Sequence, residues 1–502
     1  MVQPVTAPVL AAIDVGTNAV RLELARALPE GVLEIIHQER DPIRPGEGVF
    51  KTGGLPKATA DRLIATLRRY AALCRRYDAR VRAVATSALR DARNRDEIVR
   101  RARAEAGLKL EVVSGTEEAR LICLGVLQGQ PPLARNLCID IGGGSTEVAS
   151  AVGESPQKLW SVALGAVRLT ELFETAETVS PKKLKLLRRY TDEVLTEALP
   201  QKIPYAPKQA LGSSGTIEAV VAFASDGGGH ATRRQISKAV EEIAKLGPQK
   251  RRKRFDARRA EIIGAGAVVL EGLMKHLHLD GVTAVQRGLR DGVLVDLVRR
   301  AEPDPLDHSL QDAALVLGRR FAFDEKHSRR IAGFALRLFD ALAAPFKLLA
   351  SDRALLETAA LLHDIGQAVN YSRHHKHTYY LIANADLPGI SERERELIAR
   401  VARYHRRTPP ELSHAGMAGL TSEETRTVRT LATLLRVADS FDRSHRQPVQ
   451  GLQIQVGRQA VTVGLLSRRP VDLEIWDAEH EAALFQRVFH RKLEVKAVKH
   501  RA

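Results

Sequence analysis

Cysteine is scarce in this sequence, with three in 502 residues: Cys74, Cys123 and Cys138. They stand far apart, each inside an apolar stretch, which excludes a disulfide scaffold and a CxxC redox or zinc motif. Buried free thiols are expected. Aromatic residues are few as well, at 4%. None interleaves with the densest basic run, which argues against a surface that stacks unpaired bases. No apolar run reaches the roughly 20 residues that a membrane-spanning helix needs. Met1–Val15 has neither a basic start nor a long apolar core, so a signal peptide is not expected. A cytoplasmic protein with no membrane partner is the expectation. Glycine and proline, at 36 and 22 residues, are too ordinary for a collagen-like or low-complexity chain.

Positive charge is in excess: 77 Lys and Arg against 60 Asp and Glu, a formal net charge of +17. This points to a polyanionic partner, whether nucleic acid, anionic lipid or a phosphorylated small molecule. The densest run, Lys250-Arg251-Arg252-Lys253-Arg254, fits either a solvated loop or a surface that captures a long anion. A hydrophobic fraction of 44% supplies sizeable cores. At roughly 100–200 residues each, three or four domains are expected.

Short strands are predicted at Val9–Asp14, Val20–Ala27, Val32–Gln38, Val81–Thr86 and Leu110–Val113. Helices are predicted near Ala58–Tyr77, Arg95–Ala106 and Glu117–Leu127, the last opening on a capping box, Ser114-Gly115-Thr116-Glu117. This alternation is that of an α/β architecture. The opening motif then recurs. Ile13-Asp14-Val15-Gly16-Thr17-Asn18 is echoed by Ile139-Asp140-Ile141-Gly142-Gly143-Gly144-Ser145-Thr146. Each Asp ends an apolar strand and is followed by glycine and hydroxyl or amide residues. Two such hairpins, facing each other, would make a cleft with backbone N–H groups turned toward an anion. A third glycine loop, Gly212-Ser213-Ser214-Gly215-Thr216, precedes a predicted helix at Thr216–Phe223 and suits phosphate, weakly when taken alone.

The character changes near residue 300. Ala301-Glu302-Pro303-Asp304-Pro305 reads as a linker, and the pattern beyond it is helical to about 445. From Gly451 the period shortens to two, giving a hairpin (Leu452–Val456, Val461–Leu465), a helix near Glu479–Val488 and a last strand at Leu493–Val498. The expected divisions are two α/β lobes, 1–134 and 135–303, a helical domain, 304–446, and a small α/β domain, 447–502.

Asp14, Glu118, Asp140 and Glu147 stand beside the phosphate-type loops. Carboxylates so placed suit Mg²⁺ or Mn²⁺, hard cations that take oxygen from protein and phosphate together. Glu117 and Glu118 also suit plain capping and helix-dipole roles. The order of motifs bears on that choice. Asp14-Val15-Gly16-Thr17-Asn18 is followed by Thr86-Ser87-Ala88-Leu89-Arg90-Asp91. Ser114-Gly115-Thr116-Glu117-Glu118 comes next, then Asp140-Ile141-Gly142-Gly143-Gly144-Ser145-Thr146-Glu147, then Gly212-Ser213-Ser214-Gly215-Thr216. This resembles the exopolyphosphatase / guanosine pentaphosphate phosphohydrolase family of the sugar kinase–Hsp70–actin superfamily, over about residues 10–300. The resemblance implies two ribonuclease-H-like lobes. It also implies release of terminal phosphate from inorganic polyphosphate, or of the γ-phosphate from guanosine pentaphosphate to give the tetraphosphate. By the same resemblance Glu118 positions or deprotonates the attacking water and Arg90 contacts phosphate. Asp140 and Glu147 attend the metal, and Asn18, Gly143, Gly144, Ser145 and Thr146 hold the anion. A homodimer is implied as well.

In the helical stretch, polar residues fall where apolar ones are expected. His327 shares a face with Ile331, Phe334 and Leu338; His363-Asp364 ends a helix; Asp439 lies on the inner stripe of Val428–Ala438. A His, a His-Asp pair and a distant Asp on inward faces suit one divalent metal. The set resembles the HD-domain metal-dependent phosphohydrolases, and His377 and His405 could supply a second metal site. Hydrogen-bonded core histidines are the bland alternative. The stretch Tyr371-Ser372-Arg373-His374-His375-Lys376-His377 reads as a basic loop. Two rival readings remain open: a helical domain that hydrolyses a nucleotide phosphate with the lobes as sensor, and a regulator that binds polyphosphate or an alarmone without turnover.

Overall fold

A computed structural model describes residues 7–28, 32–204, 207–257, 259–301, 309–370, 373–385, 387, 389–411 and 414–499. The chain divides into two compact units, Met1–Asp304 and Pro305–Ala502. The expected linker lies, beyond Ala301, outside the described residues.

The first unit holds two sheets. β1 (Val9–Val15), β2 (Val20–Ala27), β3 (Leu33–Asp41), β4 (Arg80–Ala85) and β5 (Leu110–Val112) run in the order β3-β2-β1-β4-β5. β1–β2 and β2–β3 pair antiparallel; β1–β4 and β4–β5 pair parallel. The second sheet comprises β6 (Arg135–Ile141), β7 (Thr146–Val152), β8 (Ser155–Val162), β9 (Gln209–Ser213), β10 (His230–Thr232) and β11 (Gly281–Ala284), in the order β10-β11-β9-β6-β7-β8. Apart from edge strand β10, order and sense repeat those of the first sheet. The repeated sequence motif is therefore the opening of a duplicated fold. Asp14 and Asp140 are each the penultimate residue of the first strand in their sheet. These two α/β lobes have the actin-like fold expected from the motifs. β1 is buried on both faces, which is why VLAAIDV reads as a continuous apolar run.

Two helices exchange sheets. Gly115–Leu127 follows the first sheet in sequence but covers the second. Its Ile122, Cys123, Val126 and Leu127 pack on Cys138, Ala149, Ala151 and Leu211. Leu289–Ala301 follows the second sheet but covers the first, with Val293, Leu294 and Leu297 on Leu10, Ala12 and Val84. The two helices meet backbone to backbone. A Cβ at Gly292 would lie 1.6 Å from the Leu121 carbonyl oxygen, and one at Gly125 2.2 Å from that of Gly288. Gly292→Ala is accordingly expected to lower the unfolding free energy by about 1–3 kcal/mol through overpacking. A chemical-denaturation curve unchanged from wild type would refute this close crossing. All three cysteines are buried and free, as expected, and Cys123 Sγ lies 3.7 Å from Cys138 Sγ.

The basic run at 250–254 is not a loop. It forms the last turns of a helix, Pro248–Arg254, and Arg251 points inward, fully buried. Its guanidinium donates to the carbonyls of Thr175 (2.9 Å), Glu177 (2.8 Å) and Leu246 (3.0 Å). One of the five charges thus clasps a turn, while its four neighbours in the run are exposed.

In the second unit, helices Ser309–Arg320, Glu325–Phe346, Ala350–Leu362, His374–Ala383, Glu392–Arg403 and Ser422–Ser440 precede a sheet of β12 (Val449–Val456), β13 (Ala460–Ser467) and β14 (Lys492–Lys499). The helix expected near Glu479–Val488 is two, Asp472–His480 and Ala482–Phe489. Helices and sheet share one core, in which Phe334, Phe339, Leu435 and Phe441 meet Val461, Val463 and Phe485.

Candidate active site

The two repeated hairpins face each other. Each closes with the same turn bond: Gly16 N–H to the Ala19 carbonyl (3.1 Å) and Gly142 N–H to the Ser145 carbonyl (2.9 Å). A Cβ at Gly143 would stand 2.6 Å from Thr17 Cβ, and one at Gly144 2.5 Å from Ser87 Oγ. Glycine is needed there because the turns are in contact. Beside them opens a cavity of about 350 Å³. Asp14, Asn18, Glu118, Asp140, Gly143 and Gly215 line it, together with four arginines: Arg21, Arg40, Arg259 and Arg290.

Glu118 owes its place to the start of its helix. Ser114 Oγ accepts the Glu117 N–H (3.2 Å) and the Ser114 carbonyl accepts the Glu118 N–H (2.9 Å). The Glu118 carboxylate accepts from Arg90 Nη1 at 2.9 Å, and the same nitrogen reaches the Val113 carbonyl at 3.0 Å. Burial pushes Glu118 up to about 7 despite Arg90, and the charges of Asp140 and Asp14 act in the same direction. Asp140 is pushed up to about 6, again chiefly by burial, with a Ser213 hydrogen bond opposing. Burial raises Asp14 and Glu147 as well.

The carboxylates also confront one another. Asp140 and Glu147 are direct cross-strand neighbours on β6 and β7, whereas Asp14 faces Arg21. Like charges opposite each other on a sheet are unfavourable. Asp14 Oδ1 and Glu147 Oε2 are buried with no hydrogen-bond partner. Three buried acids and a half-buried Asp140, two of the four with an orphaned oxygen, make a site whose ionised form needs a cation.

Not every expected residue opens on the cavity. Thr146 Oγ1 donates to the Leu164 carbonyl, and the Ser145 hydroxyl is buried. Gly144 is packed on Phe50 and Ser87, its carbonyl accepting from Arg168 Nε (2.7 Å). Glu147 lies behind the cavity, accepting from Ser161 (2.8 Å). Sequence reasoning missed Arg21, Arg40, Arg259 and Arg290. They come from four separate elements, and no local motif marks them. Glu117 is more than a cap: Arg82 (3.2 Å) and Arg120 (2.7 and 2.9 Å) hold its buried carboxylate.

A second cluster lies in the helical unit. His327, His363, Asp364, Asp439 and His405 converge there as expected. His377 does not join them. The basic stretch is not all loop: a helix starts at His374, and its inward face carries His374 and Thr378, four residues apart. His374 Nε2 lies 3.0 Å from Asp364 Oδ1, and Thr378 Oγ1 donates to the His363 carbonyl (2.9 Å). His377 is half-buried off that face. Asp442, also unforeseen, is fully buried and bonds His327 Nδ1 at 2.8 Å. Burial opposes a charged His327 ring, yet Asp439 and Asp442 push it up to about 10.

Comparison with known proteins follows the same division. Residues 25–301 match the Ppx/GppA phosphatase family, and residues 311–468 match domain III of the Ppx/GppA phosphatases. Two solved structures from Aquifex aeolicus are similar. The Ppx/GppA family member is 28% identical with a TM-score of 0.52, over 59% of this chain and 99% of its own. The PPX-GPPA enzyme is 30% identical with a TM-score of 0.50, over 57% of this chain and 99% of its own. An exopolyphosphatase from Cytophaga hutchinsonii shares the fold at 22% identity and a TM-score of 0.52, over 58% of this chain and 98% of its own.

Proposed function

The chain belongs to the Ppx/GppA phosphatase family, and from that premise we propose that it releases terminal orthophosphate from inorganic polyphosphate and also hydrolyses guanosine pentaphosphate to the tetraphosphate. One arrangement carries the reading: a buried Glu118, pushed up to about 7, in a cavity that four arginines also line.

Hydrolysis forms a P–O bond from water and breaks the P–O bond to the rest of the chain. It needs an in-line water and neutralised equatorial oxygens. Glu118 holds the water and takes its proton, a task suited to a group poised near neutral pH. Arg90 orients that carboxylate. Asn18, Gly143 and Gly215 cradle the terminal phosphate, and the four arginines take the phosphates that trail from it. Asp14, Asp140 and Glu147 fit a hard dication, Mg²⁺ or Mn²⁺, by their oxygen donors and the two orphaned atoms. When bound, such an ion supplies neutralisation of phosphate charge.

The direct test is orthophosphate release from long-chain polyphosphate and from guanosine pentaphosphate, by the full chain with Mg²⁺. Release from both is expected, and the polyphosphate rate should fall with salt as long-range attraction is screened. Release from neither would retire the proposal.

A pH dependence follows as well. Only ionised Glu118 accepts a proton, so kcat/KM should fall on the acid side of about 7, roughly tenfold per pH unit. A dication on Asp14 and Asp140 cancels two of the charges that hold Glu118 up. Raising Mg²⁺ should therefore move this limb to lower pH. A limb that stays in place between low and saturating Mg²⁺ would count against the placement of the ion.

A further inference from the structure

We propose that Arg168 is a positioning residue for phosphate hydrolysis: it holds the turn at Gly142–Ser145 with its backbone N–H groups presented to the anion, and ties that turn to the segment that carries Arg90. The inference rests on the phosphatase reading given above.

The turn is backed by the start of the helix Ala166–Phe173. The Gly142 carbonyl accepts from the Ala166 N–H (2.9 Å), and the Gly143 carbonyl accepts from the Val167 and Arg168 N–H groups (2.8 and 3.0 Å). The next carbonyl, that of Gly144, accepts from a side chain instead, Arg168 Nε at 2.7 Å. In a trans peptide each carbonyl points opposite to the N–H of the following residue. Tying these consecutive carbonyls to the helix therefore turns the N–H groups of Gly143, Gly144 and Ser145 away from it. Among the described residues none of these N–H groups donates to a protein atom. Gly142 and Gly143 line the cavity, and no described residue of the helix does. Successive N–H groups on one side of a turn are suited to an anion. Two of the peptide planes are held by backbone. The third, which carries the Ser145 N–H, is held by Arg168 and can be released by substitution.

The same guanidinium reaches the other lobe. Its Nη2 pairs with Asp91, and its carbon lies 4.1 Å from the centroid of the Phe50 ring. Asp91 follows Arg90 in the helix Ser87–Asp91, and Arg90 holds Glu118 at 2.9 Å. One half-buried side chain thus joins the anion turn of the second lobe to the arm of the first lobe that orients the proton acceptor. Arg168 does not itself line the cavity, so it acts through the turn. A planar fork is required, because Nε, Nη2 and the flat face are all in use. A lysine ammonium offers the charge without the plane.

The test compares full-length wild type with two variants. Arg168→Lys keeps the charge. Glu171→Ala cuts the adjoining contact between the lobes, in which Glu171 Oε1 accepts the Gly48 N–H at 2.9 Å. In Arg168→Lys, kcat for orthophosphate release from long-chain polyphosphate should fall about 10²-fold, the order of losing one aimed donor or about 1 Å of placement. KM should move by less than about threefold, since the arginines that take the trailing phosphates are untouched. Glu171→Ala should stay within about threefold of wild type in both. Affinity for inorganic phosphate with Mg²⁺, by isothermal titration calorimetry, should fall about tenfold or more in Arg168→Lys. That binding measurement decides the role of Arg168 even if wild type hydrolyses neither substrate, a result that would retire the hydrolase reading alone. Equal losses in Arg168→Lys and Glu171→Ala would make Arg168 a mere clasp between lobes and overturn the proposal. Unchanged kcat and phosphate affinity in Arg168→Lys would overturn it too. In wild type, hydrogen–deuterium exchange over residues 143–145 should slow when inorganic phosphate is added. Exchange that does not slow would overturn the proposal without recourse to any variant.

Discussion

Glu118→Gln is expected to cut orthophosphate release from polyphosphate by about 10²–10⁴-fold, the usual cost of losing a proton-accepting group. The substitution keeps size and one hydrogen-bond acceptor for Arg90 Nη1, now 2.9 Å away. It removes the charge that burial and the neighbouring Asp140 and Asp14 hold near neutrality. Folding should be unharmed, because a neutral amide is easier to bury than an ion among acids. The loss should fall on kcat more than on KM, since the arginines that bind the chain are untouched. Guanosine pentaphosphate hydrolysis should drop in parallel if both substrates use this cleft. Steady-state kinetics on each substrate separates the cases. A variant with raised KM and unchanged kcat would make Glu118 a binding residue only.

Asp296→Ala is expected to destabilise the first unit by about 3–5 kcal/mol, the range for stripping one partner from a buried ionic cluster. Asp296 is 4% exposed and accepts from Arg82 Nη1 (2.5 Å), Arg120 Nη2 (2.5 Å) and Arg300 Nε (2.6 Å). Removing it leaves Arg82 and Arg120 buried with Glu117 and Glu111 alone to answer them. The cluster ties the two exchanged helices to β4, next to Glu118. Despite burial, Arg120, Arg300 and Arg82 hold Asp296 well below the usual carboxylate range. Its folded pKa thus lies under the unfolded value of about 3.9. The stabilisation is full above that value and is lost as pH falls toward the folded pKa. Denaturation midpoints of wild type and Asp296→Ala should therefore converge in acid. A gap that widens in acid would contradict this reading of the cluster.

What was legible in the sequence was local or repeated. The Asp14 and Asp140 motifs could be matched because one hairpin was used twice, and β2 falls at Val20–Ala27 as the alternation predicts. Ser114 was readable as an N-cap because that signal lies within three residues of its partner. What escaped depended on distance or on phase. Glu117 looked like half of a capping box, since its partner Arg82 and their shared neighbour Asp296 lie far away in sequence. The four cavity arginines sit on elements that only the fold brings together. Arg251 was lost in a run of like charges, where composition cannot say which side chain turns inward. His377 was preferred to His374 because the facing residue depends on where the helix starts. That start follows Arg373, whose backbone is left-handed at φ 60°.

The central claim is that Glu118 accepts the proton of the attacking water. It is tested most directly by orthophosphate release from polyphosphate, measured from about pH 5 to about pH 9 at fixed Mg²⁺ for wild type and Glu118→Gln. Wild type should show an acid limb, and the variant a low rate with that limb gone. A variant that keeps the wild-type rate and the same limb would contradict it.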